Sequence, residues 1–324
     1  MIDPSSLATA RQGTLAPTKE LLVPKRPFWT TLKLNWMYYA MLVPATVLMA
    51  LFSFYPMWGI VMAFMEYSPY KGFQGSPWVG LAQFRRILTM PNAGPIFRNT
   101  VLIAVGKIIS GQMASLTFAL LLHQVANRYF KRTVQTVTTF PHFLSWVVVG
   151  GIILRVLSSE GLINSLLGKV GIGPIRFLTD PRIFPLTLIG TETWKEFGFG
   201  AVIYLAALTA INPELYEAAA VDGAGRWGRL WAVTLPGIRS TVVLMLCLSL
   251  GNILSAGFEQ ILILENPLVY STGDVIDTFV YRAGVLEAQY SLATALGLLR
   301  SAIGCLLILA SYWLADRFAD YRIF

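Results

Sequence analysis

Ionisable and polar side chains set inside apolar runs are the places where this chain could do chemistry. Lys107 interrupts the apolar run that begins at Ile96, Lys195 the run that begins at Phe184, and Arg300 the run that begins at Leu292. Glu192 and Glu196 flank Lys195, and Asn252, Ser255 and Glu259 recur at helical spacing in the run from Ile238. A charge at lipid depth is costly, so such a residue either serves a solute path or is neutralised by a neighbour. Read as a path, the groups line a polar cavity for a hydroxyl-rich solute, and Trp194, Phe197, Phe199 and Tyr204 offer faces on which sugar rings can stack. Read as neutralisation, Glu192 and Lys195, three residues apart, pair on one helix, and the aromatics face lipid or core. Counting Lys107, Lys195 and Arg300 against Glu192 and Glu196 gives three minus two, a net +1 at mid-membrane depth. That excess calls for an anion, either an acidic saccharide in transit or an acid from a partner subunit.

Enzyme chemistry finds no foothold. His123 and His142 are the two histidines, and HExxH, GxSxG and the phosphate-cradling Walker A pattern are all missing. The chain is therefore not an enzyme by itself and not an ATPase, and no catalytic or metal-ligating residue is expected. Cys247 and Cys305 lie inside apolar runs without metal or redox spacing and read as small core residues.

A second constellation is the polar stretch Asn212–Pro236, NPELYEAAAVDGAGRWGRLWAVTLP. Asn212 suits an N-cap, Pro213 the first helical position, and Glu214 the first turn, where the helix dipole favours an acid. Gly223 and Gly225 interrupt the helix, and an amphipathic stretch Trp227–Val233 leads to Leu235 and Pro236. Ala218, Ala219, Ala220, Gly223 and Ala224 are small and let another surface approach closely, as a docking element requires; an ordinary interfacial helix is the alternative reading. Gly223, Gly225 and Gly228 form GxGxxG, but they follow a helix rather than a strand, so no dinucleotide site is read there.

The elements that must hold these groups are membrane spans. The 324 residues are 55% hydrophobic and 13% charged, whereas a soluble domain carries about 25% charged residues. A spanning helix needs about 20 mostly apolar residues. Six segments qualify, Trp36–Met65, Ile96–Leu122, Val137–Leu157, Phe184–Ile211, Ile238–Leu264 and Leu292–Ala315, with Pro44 and Pro56 as bends in the first. That is an all-α integral membrane protein: residues 1–35 a cytoplasmic tail, residues 36–324 one six-helix domain, and 212–236 a loop on the inner side. The first block starts too late and runs too long for a cleaved signal peptide. Twelve Lys and Arg on one side against seven on the other put both termini in the cytoplasm. The formal net charge of +8 sits between the blocks, which suits lipid headgroups and not nucleic acid. The loop beyond the fifth span carries Glu265, Asp274, Asp277 and Glu287, and Trp78–Leu88 has the spacing of a short helix on the outer surface. There is no internal repeat to suggest a secondary transporter.

Glu217-Ala218-Ala219, Gly223, and Val233-Thr234-Leu235-Pro236 resemble the EAA loop of ABC importer permeases, with Val233 where that family has Ile. Trp78–Leu88, Phe97–Thr100, Thr139–Asn164, Trp194–Leu208 and Phe258–Arg282 resemble the carbohydrate-importer permeases of the MalF and LplB type, and the resemblance extends to alginate and oligosaccharide importer subunits of bacteria. It implies a Type I importer permease fold in a bacterial inner membrane. It also implies that Glu217, Ala218, Ala219, Asp222, Gly223, Ala224, Leu235 and Pro236 couple to an ATPase. Lys107, Glu192, Trp194, Lys195, Glu196, Asn252, Ser255, Glu259 and Arg300 are then candidates for the substrate path. The implied partners are a second homologous permease, two ATPase subunits that bind ATP and Mg, an extracytoplasmic solute-binding protein and an oligosaccharide; the chain itself needs no cofactor. A permease for another small polar solute, a secondary transporter and a membrane-embedded enzyme are the alternatives.

Overall fold

The computed structural model describes residues 33–251 and 253–319, with side chains as far as residue 310. Nearly all of the expected tail, and Asn252 of the expected path, lie outside the described residues. Helices carry the whole described fold, and the one extended contact among the described residues is an isolated bridge between Met65 and Trp78.

The chain divides into two units, Met1–Trp58 and Gly59–Phe324. In the first, α1 (Trp36–Met49) is apolar on every side, as a lipid-facing helix is, and it contains Pro44. The second unit holds α2 (Ala82–Thr89), α3 (Ala93–His123), α4 (Arg128–Thr139), α5 (Trp146–Val156), α6 (Phe184–Thr209), α7 (Pro213–Val221), α8 (Arg239–Gly251), α9 (Phe258–Leu264), α10 (Ile276–Tyr281) and α11 (Tyr290–Ala319).

Three helices among the described residues are long and apolar enough to cross a membrane, Trp36–Phe64, Ala93–His123 and Tyr290–Ala310. The count reaches six when each of three bent pairs is taken as one span. α6 has 26 residues, ample length to cross, but Glu192, Lys195 and Glu196 cluster in it. Two expected spans need correction. Val137–Leu157 is not one helix: α4 runs into a tight turn at Phe140–Phe143, α5 restarts after Ser145, and the two halves meet at 102°. Pro141, within that turn, cannot donate to the helical ladder and disfavours a helical residue before it. Ile238–Leu264 is likewise split, into α8, a tight turn at Ile253–Ser255, and α9. The expected helix in Trp78–Leu88 is present as α2. Its Ile87 packs into a core with Ile96, Ile276, Leu292 and Leu296, so it is clamped to the ends of α3, α10 and α11.

α3 and α6 pack along their length, and their sequences explain the layering. At one end Ile103 and Ala104 of α3 meet Phe184 and Leu188 of α6 in an apolar core shared with α5 and α9. At the other end Ala119 and Leu122 meet Ala201, Tyr204, Leu205 and Leu208. Between the two apolar layers lie Lys107, Gln112 and Ser115 on α3 and Glu192, Thr193 and Glu196 on α6. Small residues allow the approach: a Cβ on Gly200 would lie 2.5 Å from Ser115 Oγ.

Candidate functional site

The polar middle of the α3–α6 pair opens into a cavity of about 550 Å³. Gln112, Ser115, Glu192, Thr193, Glu196, Ser249 and Ser255 give it oxygens and amides, while Ile108, Phe199, Ile203, Met245 and Leu248 give it apolar wall. Pockets for small ligands run to about 300–1,000 Å³ with a few placed polar groups on an apolar lining, and this cavity has that character.

Of the expected path residues, Lys107, Glu192, Glu196 and Ser255 are at the cavity. Lys195, Trp194, Glu259 and Arg300 are not among its lining residues. Lys195 is buried, Trp194 is 52% exposed, and Glu259 is exposed on α9 beyond the break. The break also separates Ser255 from Glu259, so the single helical face expected for Asn252, Ser255 and Glu259 does not form. Among the expected stacking rings, Phe199 lines the cavity, with the His142 ring stacked on it at 3.9 Å between centroids. Tyr204 is instead buried in the second apolar layer, its hydroxyl bonded to Gln112 Oε1.

The ion pairs differ from the expected one. Glu192 does not pair with Lys195; its Oε2 lies 3.4 Å from Lys107 Nζ across the helix contact. Lys195 Nζ lies 2.8 Å from Glu196 Oε1, donates to the His142 carbonyl at 3.1 Å and sits over the Trp146 ring. Glu196 Oε2 meets His142 Nδ1 at 2.6 Å. Arg300 Nη1 lies 2.9 Å from Asp277 Oδ1. Asp277 had been counted with the outer loop, but α10 carries it back to the bundle. The arithmetic then becomes Lys107, Lys195 and Arg300 against Glu192, Glu196 and Asp277, three minus three, and the net +1 disappears. The residues that sequence reasoning missed are Gln112, Thr193, His142 and Gln260. Uncharged polar residues in an apolar run are the signal that was available.

The loop after α6 is built as its sequence suggests. The Asn212 side chain caps α7 by accepting from the Glu214 N–H at 3.1 Å. The helix stops because Gly223 takes the left-handed conformation, φ +79°, and the N–H of Ala224 returns to the Ala219 carbonyl at 2.8 Å. Arg229 Nε then donates to the Ala224 carbonyl at 3.0 Å, and the Tyr216 hydroxyl meets Thr234 Oγ1 at 3.1 Å. These bonds fix α7 against the segment that leads into α8. Glu217, Ala218, Asp222, Gly223 and Pro236 are exposed, Ala219 and Ala224 are half-buried, and Leu235 packs on the second apolar layer. Trp227 and Trp231, further along the loop, are both strongly exposed.

Beyond the fifth run, Asp274 is buried and accepts from the Thr278 hydroxyl and from Arg282 Nη2. Arg282 also sits 4.2 Å from the Tyr270 ring centroid, with Glu265 Oε1 3.9 Å from its Nη1. Burial first, and then repulsion from Asp274, push the Glu265 carboxyl up to about 7, against the attraction of Arg282.

A family model described as "Binding-protein-dependent transport system inner membrane component" matches residues 111–320. The chain is 38% identical to Protein LplB of Bacillus subtilis (strain 168), over 90% of this chain and 91% of that one. It is 39% identical to the polygalacturonan/rhamnogalacturonan transport system permease protein YteP of the same organism, over 88% and 89%. Among solved structures, a chain of a bacterial ABC transporter involved in the import of the acidic polysaccharide alginate superposes with a TM-score of 0.83 at 35% identity, covering 90% of this chain and 98% of that chain. A chain of the alginate ABC transporter in complex with alginate pentasaccharide-bound periplasmic protein gives 0.83 at 34% identity, covering 92% and 100%. The all-helical fold, the polar cavity between packed spans and these matches have one consistent meaning: the chain belongs to the binding-protein-dependent transport system inner membrane components, as a transport permease subunit with the Type I ABC importer fold.

Proposed function

We propose that this permease carries an oligosaccharide with acidic sugar units into the cytoplasm, driven by ATP hydrolysed on partner subunits. The observation that carries the reading is the cavity between α3 and α6, walled by amides, hydroxyls and carboxylates beside the Phe199 ring. Sugars bind through hydroxyl hydrogen bonds and ring stacking, and this lining offers both. The acidic character is supported by the relatives alone, through the polygalacturonan/rhamnogalacturonan and alginate systems; the neutral ion-pair arithmetic within the bundle lends it no support. Glu192, Glu196, Ser255, Gln112 and Phe199 are the side chains that meet the sugar in this reading.

The exposed, capped α7 with Glu217, Ala218, Ala219, Asp222, Gly223 and Ala224 is the proposed contact with an ATPase subunit, and Leu235 and Pro236 pass its movement into α8. The working complex then holds a second permease, two ATPase subunits with ATP and Mg, and an extracytoplasmic binding protein, with both termini of this chain in the cytoplasm. The test is substrate-stimulated ATP hydrolysis by the reconstituted complex, screened over neutral and uronate oligosaccharides with the binding protein present. Stimulation by uronate oligomers supports the reading. Stimulation only by neutral sugars removes the acidic part, and stimulation only by amino acids or ions removes the saccharide.

A further inference from the structure

The fifth apolar run is broken beside the cavity, where Ser255, Ala256 and Gly257 form part of the lining. Ala256 and Gly257 take left-handed conformations, φ 35° and 85°, between α8 and α9. A buried carbonyl without a partner inside an apolar run costs several kcal/mol, and other groups meet the carbonyls of this break. The Ser255 carbonyl accepts the Gly257 N–H in a tight turn. The carbonyls on either side are taken by cations from other helices. Arg300 Nε of α11 donates to the Leu254 carbonyl at 3.2 Å, and Lys107 Nζ of α3 donates to the Ala256 carbonyl at 2.7 Å.

Both cations have every nitrogen engaged. Lys107 has three donors in all, and its ammonium bonds Ala256, Glu192 and the Oε1 of Gln260. Arg300 uses Nε on Leu254, Nη2 on Ser255 Oγ at 2.9 Å and Nη1 on Asp277. Gln260, in the first turn of α9, is fully buried and donates to the Leu188 carbonyl at 2.8 Å and to Thr191 Oγ1 at 2.7 Å, so Lys107 also ties α9 to α6. At φ +85° position 257 favours glycine, and a Cβ there would lie 2.5 Å from Lys107 Nζ and press the ammonium out of place.

We propose that Lys107 and Arg300 are positioning residues that clamp the freed carbonyls of this break and so fix where α9 sits at one end of the cavity, and that they do not read the substrate's charge. The clamp holds α9 at one angle to α8. Removing either cation leaves a buried carbonyl bare and lets α9 shift.

The experiment uses the complete complex in proteoliposomes, free of Cys247 and Cys305, with a single cysteine at Phe258 as reporter. Lys107→Met, the pair Lys107→Met with Glu192→Gln, and Gly257→Ala are compared with the parent. The clamp requires that Lys107→Met and Gly257→Ala lose about tenfold or more in maximal uptake with KM within about twofold, and that in all three Phe258→Cys reacts severalfold faster with a maleimide. The paired variant removes the ion pair without leaving a lone charge, and it is judged by the labelling rate alone, because Glu192 also lines the cavity. The parent labelling rate at position 258 in the pair would make Lys107 a counter-ion only and overturn the proposal. A tenfold rise in KM with unchanged maximal uptake would make it a substrate contact and overturn it equally. If Lys107→Met does not assemble, Arg300→Lys keeps the charge but not the three-pronged grip, and parent uptake and labelling in that variant also overturn the clamp. Uptake as a readout rests on the proposed function. Failure of the parent to take up any saccharide would sink that reading alone, since the labelling rate at position 258 needs no substrate.

Discussion

Glu265 is the residue whose protonation the fold changes most plainly outside the spans. Its carboxyl is raised from an ordinary 4.5 to about 7, and its buried Oε2 has no hydrogen-bond partner among the described residues. Between those values the folded chain keeps a proton that the unfolded chain has released. Stability therefore falls as pH rises through this window, and the penalty is complete above about 7. Purified protein is expected to melt about 2–4 °C lower at pH 8 than at pH 5.5, and Glu265→Gln should remove most of that difference. An unchanged pH slope in the variant would assign the effect elsewhere. At this scale the sequence showed which residues were charged at depth but not whom they met. Glu192 has a lysine three residues away, yet its partner Lys107 is 85 residues away. A residue three positions along a helix is a neighbour only when nothing better packs against that face, and α3 does. Asp277 was misplaced for a related reason: a polar loop gives no sign of which helix it folds back on.

At the scale of elements, the loop 212–236 was the most legible part, because caps and breakers are local signals. Asn212, Pro213 and Gly223 occupy the N-cap, first-turn and C-terminal positions that their chemistry suggests. At φ +79° an L-residue in place of Gly223 costs about 1–2 kcal/mol of backbone strain. Gly223→Asp is expected to leave the protein in the membrane and to reduce ATPase recovery on copurification or uncouple its hydrolysis from substrate; parent rates of substrate-stimulated hydrolysis would contradict the assignment. Topology is testable with single cysteines. Asp274, an outer-loop position by sequence, is buried, so Leu268, strongly exposed in that loop, is the better outer probe against Gly225. The two should label from opposite membrane faces, and labelling from one face would sink the six-span arrangement. The breaks inside the third and fifth runs escaped the sequence reading because hydropathy averages across a few residues of turn. Pro141 was a usable sign for the first; the second is held by contacts from α3 and α11, which no local pattern contains.

For the whole molecule, apolar block length gave the class, and the polar residues within those blocks marked the level of the cavity. The size and walls of the cavity come from how α3 and α6 pack, and its cargo from chemistry that a single chain carries only in part. In the proposed function this cavity passes an acidic oligosaccharide when partner subunits hydrolyse ATP. The most direct measurement is uptake of labelled uronate oligosaccharide into proteoliposomes holding the full complex, with ATP inside and binding protein outside, compared with a neutral oligosaccharide of equal length. Uptake should require both ATP and the binding protein, should favour the uronate, and should fall about tenfold or more with Glu192→Gln and Gln112→Leu together. Uptake of neither sugar, or uptake that persists without ATP, would contradict the account.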